Sequence, residues 1–118
     1  MQIARRKIGP SELPLVIAEI GINHGGNLAL AKHMVSLAAR SGCECIKHQT
    51  HFVEDEMTEA AKEIFPPNAD VSIWDVMANS ALSKDDEVAL KHHTESLGLI
   101  YLSTPFSRSA SDFLEEID

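Results

Sequence analysis

An α/β fold with a parallel sheet is what the sequence predicts, and three observations predict it. Short apolar runs of strand length alternate with segments whose apolar residues recur at helical spacing. The order strand, helix, strand is repeated along the chain, which makes βαβ units. Glycines and capping residues punctuate the boundaries where such units need them.

The first strand is Leu15–Ile20, after a weakly alternating terminal stretch with a Gly9-Pro10 break that reads as a short hairpin. Its near-continuous apolar run suits a strand buried on both faces of a parallel sheet. Asn27 is a good N-cap for a helix over residues 28–41, in which Ala31, Met34, Val35 and Ala38 share one face and Gly42 supplies the stop. Cys43 to Gln49 is the second strand. The following connector, Thr50 to Leu82, is long, acidic at Glu54-Asp55-Glu56 and interrupted by Pro66-Pro67. Two short helices fit within it, near 57–64 and 73–79, the second opened by Ser72 with Asp75 three residues on. A connection of that length is usually a functional loop or lid. Ser83 caps the next helix, which has acids in its first turn and stops at Gly98. Leu99 to Ser103 is the third strand, closed by Thr104-Pro105, and Ser107 opens a last helix through Leu114 and Ile117.

A chain of 118 residues, 44% hydrophobic and 24% charged, has the size and balance of one globular domain. Its formal charge of −8 argues against nucleic acid or an anionic membrane as partner. No run approaches a membrane span and the N-terminus lacks a secretory layout, so a cytoplasmic protein is the default expectation. Cys43 and Cys45 are too close along an extended segment to bridge each other and read as reduced strand residues. With His48 and His51 they suggest a metal site, but they lack the paired spacing of structural zinc motifs.

Strand alternation assigns each candidate side chain a face. Leu15, Ile17 and Glu19 share one, as do Cys43, Cys45, Lys47 and Gln49, and Ile100, Leu102 and Thr104. Each set runs from apolar to polar toward the C-terminal end of its strand, the layout of a β/α barrel, whose inward residues fill the core below and build the active site above. Glu19, delivered by an apolar strand to the turn Gly21-Ile-Asn-His-Gly-Gly26, is costly to bury unless paired or used, and its structural alternative is a carboxylate turned toward solvent. Lys47 must find an anion or lose its proton, and phosphate or carboxylate is the obvious ligand. Its alternative is an ion pair with Glu19 that serves only the fold. His48 should face away from Lys47, toward the covering helices. His24 and His51 lie where ligands would bind, as proton carriers, hydrogen bonders or loop-stabilising residues. His33, His92 and His93 sit within helices.

Four blocks in order, Ala18-Glu-Ile-Gly-Ile-Asn-His-Gly-Gly26, Ile46-Lys-His-Gln-Thr-His51, Val53-Glu-Asp-Glu-Met57 and Ser103-Thr-Pro-Phe-Ser107, resemble the bacterial sialic acid synthases. The wording of the second and third blocks looks most like the N-acetylneuraminate branch; the legionaminate and pseudaminate synthases are its siblings. The resemblance implies the N-terminal part, about three units, of a TIM (β/α)8 barrel, so that residues 1–118 are a partial catalytic domain without the small antifreeze-like domain that follows in the family. It implies condensation of phosphoenolpyruvate with N-acetylmannosamine and water, releasing phosphate by C–O cleavage. By position, Glu19 matches the catalytic acidic residue, Lys47 and Thr104 match residues that hold phosphoenolpyruvate, and Gln49 and Asn68 match residues near the sugar.

The family uses a divalent cation, manganese or magnesium, whose histidine ligands lie later in the barrel, so no metal ligand is expected in this chain. The full-length enzyme is expected to be a homodimer, with a sugar-binding Arg supplied by the neighbouring subunit. A barrel cut after three strands leaves sheet edges unpaired, and the 118 residues alone are expected to be inactive. A non-catalytic β/α interaction module and a small zinc protein are the readings from other classes.

Overall fold

The order of strands and helices read from the sequence is realised in a computed structural model that describes residues 1–118. An antiparallel hairpin of β1 (Gln2–Ile3) and β2 (Arg6–Lys7) opens the chain. Arg6 is bonded through Nε to Glu44 at 2.6 Å, which ties the hairpin to the start of the second sheet strand. Then follow β3 (Ile17–Gly21), α1 (Leu28–Arg40), β4 (Cys45–Thr50), α2 (Val53–Glu56), a 3₁₀ turn (Glu59–Glu63), α3 (Ile73–Ser80), α4 (Lys84–Ser96), β5 (Ile100–Pro105) and α5 (Arg108–Glu116). The sheet is parallel, with order β3-β4-β5. No helix is long and apolar enough to cross a membrane.

The helix starts are fixed by side-chain caps that supply acceptors to orphan amides. Asn27 accepts from Leu30, Ser72 from Asp75, Ser83 from Asp86 and Ser107 from Ala110. α1 and α4 then pack on one face of the sheet. Their meeting point is a core of Ile20, Ala31, Val35, Ile46, Leu82, Leu90 and Leu99. Each large aliphatic side chain buried there contributes about 1.5–3 kcal/mol.

Three expectations need correction. The run Leu15–Ile20 is not buried throughout: Val16 and Ile17 are 51% and 42% exposed, Ile20 alone is fully buried, and Ala18 packs beside it against the core. Nothing among the 118 residues covers the face that a closed barrel turns inward. The helix expected near 57–64 is replaced by α2 and the 3₁₀ turn, with Met57 and Thr58 extended between them. Glu54, Asp55 and Glu56 all fall in the first turn of α2, where the positive end of a helix favours acids, so the helix begins four residues early. The strands also run further than expected, β4 to Thr50 and β5 to Pro105. Pro105 is tolerated because β5 is an edge strand whose last residue has no ladder amide to supply on its outer side.

Candidate active site

The register sets the site. Glu19 lies opposite Lys47, and Gln49 lies opposite Thr104, so parallel pairing carries all four to the C-terminal end of one sheet face. Lys47 Nζ donates to Glu19 Oε1, forming an ion pair. The Glu19 side chain is 64% exposed and that of Lys47 32%. Glu19 is therefore not the costly buried carboxylate expected of it; it faces solvent and is paired. At that exposure an ion pair stabilises a fold by only ~0–1 kcal/mol. What the pair offers instead is an ammonium whose partner a ligand anion can displace, beside a carboxylate able to take or orient a proton.

Gln49 is held from behind. Its carboxamide lies over the Gly21 backbone, where an added methyl would meet it at 3.8 Å. His51 Nε2 is 3.2 Å from Gln49 Oε1, and His51 Nδ1 is 2.8 Å from Glu56 Oε2. The imidazole also stacks on Phe106, with ring centroids 4.3 Å apart. His51, expected to meet ligands, is buried instead, and its contacts orient Gln49. Asn68 is not brought to this group. It occupies an exposed turn of the connector, closed by the Ala69 N–H to the Pro66 carbonyl at 3.1 Å, and makes no hydrogen bond with the other four.

His24 departs further from expectation. It is 2% exposed and packs under the loop after β3, its Nδ1 accepting the Gly26 N–H at 3.2 Å. Burial, and secondarily His48, holds it below the ordinary histidine range. His48 points toward the helices, as alternation requires, and is fully buried. Its neighbours include a group that sequence reasoning missed. Glu87 of α4 is 0% exposed and accepts from Thr50 Oγ1 at 2.7 Å and from Tyr101 OH at 3.4 Å. Burial, reinforced by Glu87, pushes the Tyr101 phenol well above its usual range. A signal was present: Glu87, Leu90 and Thr94 share one helical stripe, and all three are buried. The first-turn position of the α4 acids accounts for them as helix-dipole partners and so masks the stripe.

The cysteines do not join these groups. Cys43 precedes β4, while Cys45 is buried, and burial raises its thiol. No set of three or more His, Cys, Asp or Glu side chains is arranged to hold a metal ion. A cavity of about 970 Å³ opens at the other end of the sheet, lined by Arg6, Glu44, Ile100 and Asp118 among others. It lies at the N-terminal ends of the strands, the end that barrels use for stability rather than chemistry.

Known proteins are similar to this chain in sequence and fold. The chain is 33% identical over 112 residues to N,N'-diacetyllegionaminic acid synthase of Legionella pneumophila, a match covering 90% of this chain and 31% of that protein. It is 28% identical over 118 residues to N-acetylneuraminate-9-phosphate synthase of Homo sapiens, covering 96% and 32%. The structure of N-acetylneuraminic acid (sialic acid) synthetase from Leptospira borgpetersenii, in complex with citrate, superposes with a TM-score of 0.82 at 26% identity, covering 99% of this chain and 38% of that one. The chain thus spans about a third of the length of the curated relatives it matches, and its three-stranded sheet is the N-terminal part of a TIM-barrel architecture. The NeuB family model matches residues 34–118, and the chain belongs to the NeuB family.

Proposed function

We propose that residues 1–118 carry part of the active site of a sialic acid-type synthase that condenses phosphoenolpyruvate with an open-chain N-acetylhexosamine and water. The observation that carries this reading is the Lys47–Glu19 pair beside Gln49 and Thr104, at the strand ends of a NeuB-family chain. Lys47 binds an anionic group of phosphoenolpyruvate as a point charge, exchanging Glu19 for it, and the Thr104 hydroxyl donates a further hydrogen bond. The released Glu19 carboxylate handles a proton of the water that adds to the enolpyruvate C2. Carbon C3 forms the new bond to the sugar aldehyde, the aldehyde oxygen takes a proton, and the C2–O bond breaks to release phosphate. Gln49 orients the sugar; Asn68, set apart on the connector, is assigned to the sugar by the resemblance alone.

A divalent cation, manganese or magnesium, belongs to the proposal for the full-length enzyme, with ligands outside these residues; it would polarise the sugar aldehyde. A C-terminal antifreeze-like domain, a homodimer and a cytoplasmic setting belong to it too; two free cysteines accord with a reducing compartment. N-acetylmannosamine is the first choice of sugar on the wording of Lys47-His-Gln-Thr-His51. A legionaminate precursor is the second, favoured by 33% identity to the legionaminic acid synthase against 28% to the human enzyme. Phosphate release by the full-length protein, with phosphoenolpyruvate, manganese and each sugar in turn, followed by mass spectrometry of the product, tests both. Absence of phosphate release with every N-acetylated hexose would overturn the proposal.

A further inference from the structure

The reverse face of the sheet holds a polar group that no ligand contact explains. His48 Nδ1 is 3.1 Å from the Gly21 carbonyl, and since a carbonyl oxygen only accepts, Nδ1 carries a hydrogen. Gly21 is where the β3 register shifts against β4. The other ring nitrogen, Nε2, stands 3.5 Å from Glu87 Oε1, and neither atom has any other partner. Two acceptors facing each other at zero exposure are not tolerated, so a proton lies between them. Glu87 Oε2 already receives the Thr50 and Tyr101 hydroxyls, so Oε1 is the carboxylate atom left to share it. His24, 5.2 Å away ring to ring, accepts at Nδ1 and so stays neutral with its proton on Nε2. Facing the pair are thus His24 from the β3–α1 loop, Thr50 from β4 and Tyr101 from β5, with no other charged side chain bonded to it.

We propose that the His48–Glu87 pair is a buried one-proton clamp that positions the loop Gly21–Gly26, and through it Glu19. The clamp holds the same two strands from behind that Glu19 and Lys47 join in front, since His48 directly follows Lys47 and Gly21 lies two residues after Glu19. It touches no ligand, so these are positioning residues. Their catalytic effect rests on the synthase reading given above, whereas their effect on the loop does not.

Three variants of the full-length protein separate the two nitrogens. In His48→Asn the side-chain amide takes the place of Nδ1 and keeps the bond to Gly21; His48→Gln places its amide near Nε2 and loses that bond; His48→Leu loses both. Amide hydrogen exchange over residues 21–26 should stay near wild type in His48→Asn and rise about tenfold in the other two. In the same variants kcat should fall about tenfold with KM for phosphoenolpyruvate within about threefold, and Asn should restore it. Equal exchange in the Asn and Gln variants would overturn the clamp. Imidazole nitrogen NMR of the wild type reads the bond to Gly21 without depending on any variant folding: Nδ1 of His48 should carry a hydrogen, and a hydrogen-free Nδ1 would refute the assignment. In Glu87→Gln, whose amide can donate to Nε2, the hydrogen should remain on Nδ1. A wild-type protein that releases no phosphate but shows the exchange pattern would sink the synthase reading and leave the clamp standing.

Discussion

Replacing Gly26 by alanine tests how the site-bearing loop is seated. Gly26 has φ +73°, a conformation that costs an L-residue ~1–2 kcal/mol. A methyl built there would lie 2.5 Å from the Asn79 carbonyl oxygen and 3.4 Å from that of Ala81, both backbone atoms that cannot swing aside. The α3–α4 junction must move, and forcing a methyl into a packed contact costs ~1–3 kcal/mol. The sum, ~2–5 kcal/mol, is a large part of the ~5–15 kcal/mol by which a domain is stable. Gly25→Ala is the control: φ is +55°, yet nothing lies within 4 Å of the added carbon. It bears only the backbone cost of ~1–2 kcal/mol, partly offset by ~0.4–1 kcal/mol from a stiffer unfolded chain. Urea denaturation of the two variants in the full-length protein, compared at equal m-value, should place Gly26→Ala ~1–3 kcal/mol below Gly25→Ala. Equal losses would show that the loop does not abut the α3–α4 junction, and the seating described above would be wrong.

Glu19→Gln should change stability by less than ~1 kcal/mol, because the Lys47 pair is exposed. It should lower kcat about a hundredfold, as loss of a general acid or base does, and steady-state kinetics beside a melting curve separates the two. His24 sits below the ordinary histidine value, so the unfolded chain takes up its proton first as pH falls. Stability should therefore be flat above about pH 6.5 and decline below it. His24→Asn, whose side-chain oxygen can accept the Gly26 N–H, should flatten that decline in denaturation midpoints measured across pH. Cys45 should resist alkylation in the native state while Cys43 reacts, because burial both shields the Cys45 sulfur and disfavours its thiolate; mass spectrometry of the labelled peptides, showing equal rates, would contradict this.

The parts of the fold that follow a period were legible. Alternation placed Lys47 and His48 on opposite faces, and caps at Asn27, Ser72, Ser83 and Ser107 located helix starts to within a residue. What the period does not carry was missed. The split of the connector into α2 and a 3₁₀ turn depends on where three adjacent acids meet a helix start, a contest that spacing alone cannot decide. His24 and His51 were placed by chain position near a ligand, but burial is a tertiary property: Phe106 and His48, both distant in sequence, cover them. Glu87 was passed over because two rules apply to it at once. The first-turn position explained an acid so readily that its place on the buried stripe with Leu90 and Thr94 went unused.

The segment Lys47-His-Gln-Thr50 shows why a parallel strand suits a site of this kind. Four consecutive residues alternate between two tasks, because the pleat leaves no other choice. Lys47 and Gln49 face the open side, where charge and a carboxamide can meet a ligand. His48 and Thr50 face the helices, where solvent cannot supply hydrogen bonds and each polar atom must be met by another protein group. An apolar pair at positions 48 and 50 could serve the core as well, since replacing buried ionic groups with well-packed apolar ones is often neutral or stabilising. Their presence is therefore explained by what they fix rather than by what they stabilise. A hydrogen bond to one carbonyl has direction, which dispersion contacts lack, and the carbonyl it selects belongs to the residue at which β3 departs from register. The front of β4 can bind only where its back has set the neighbouring loop, and one tetrapeptide performs both because its side chains must alternate.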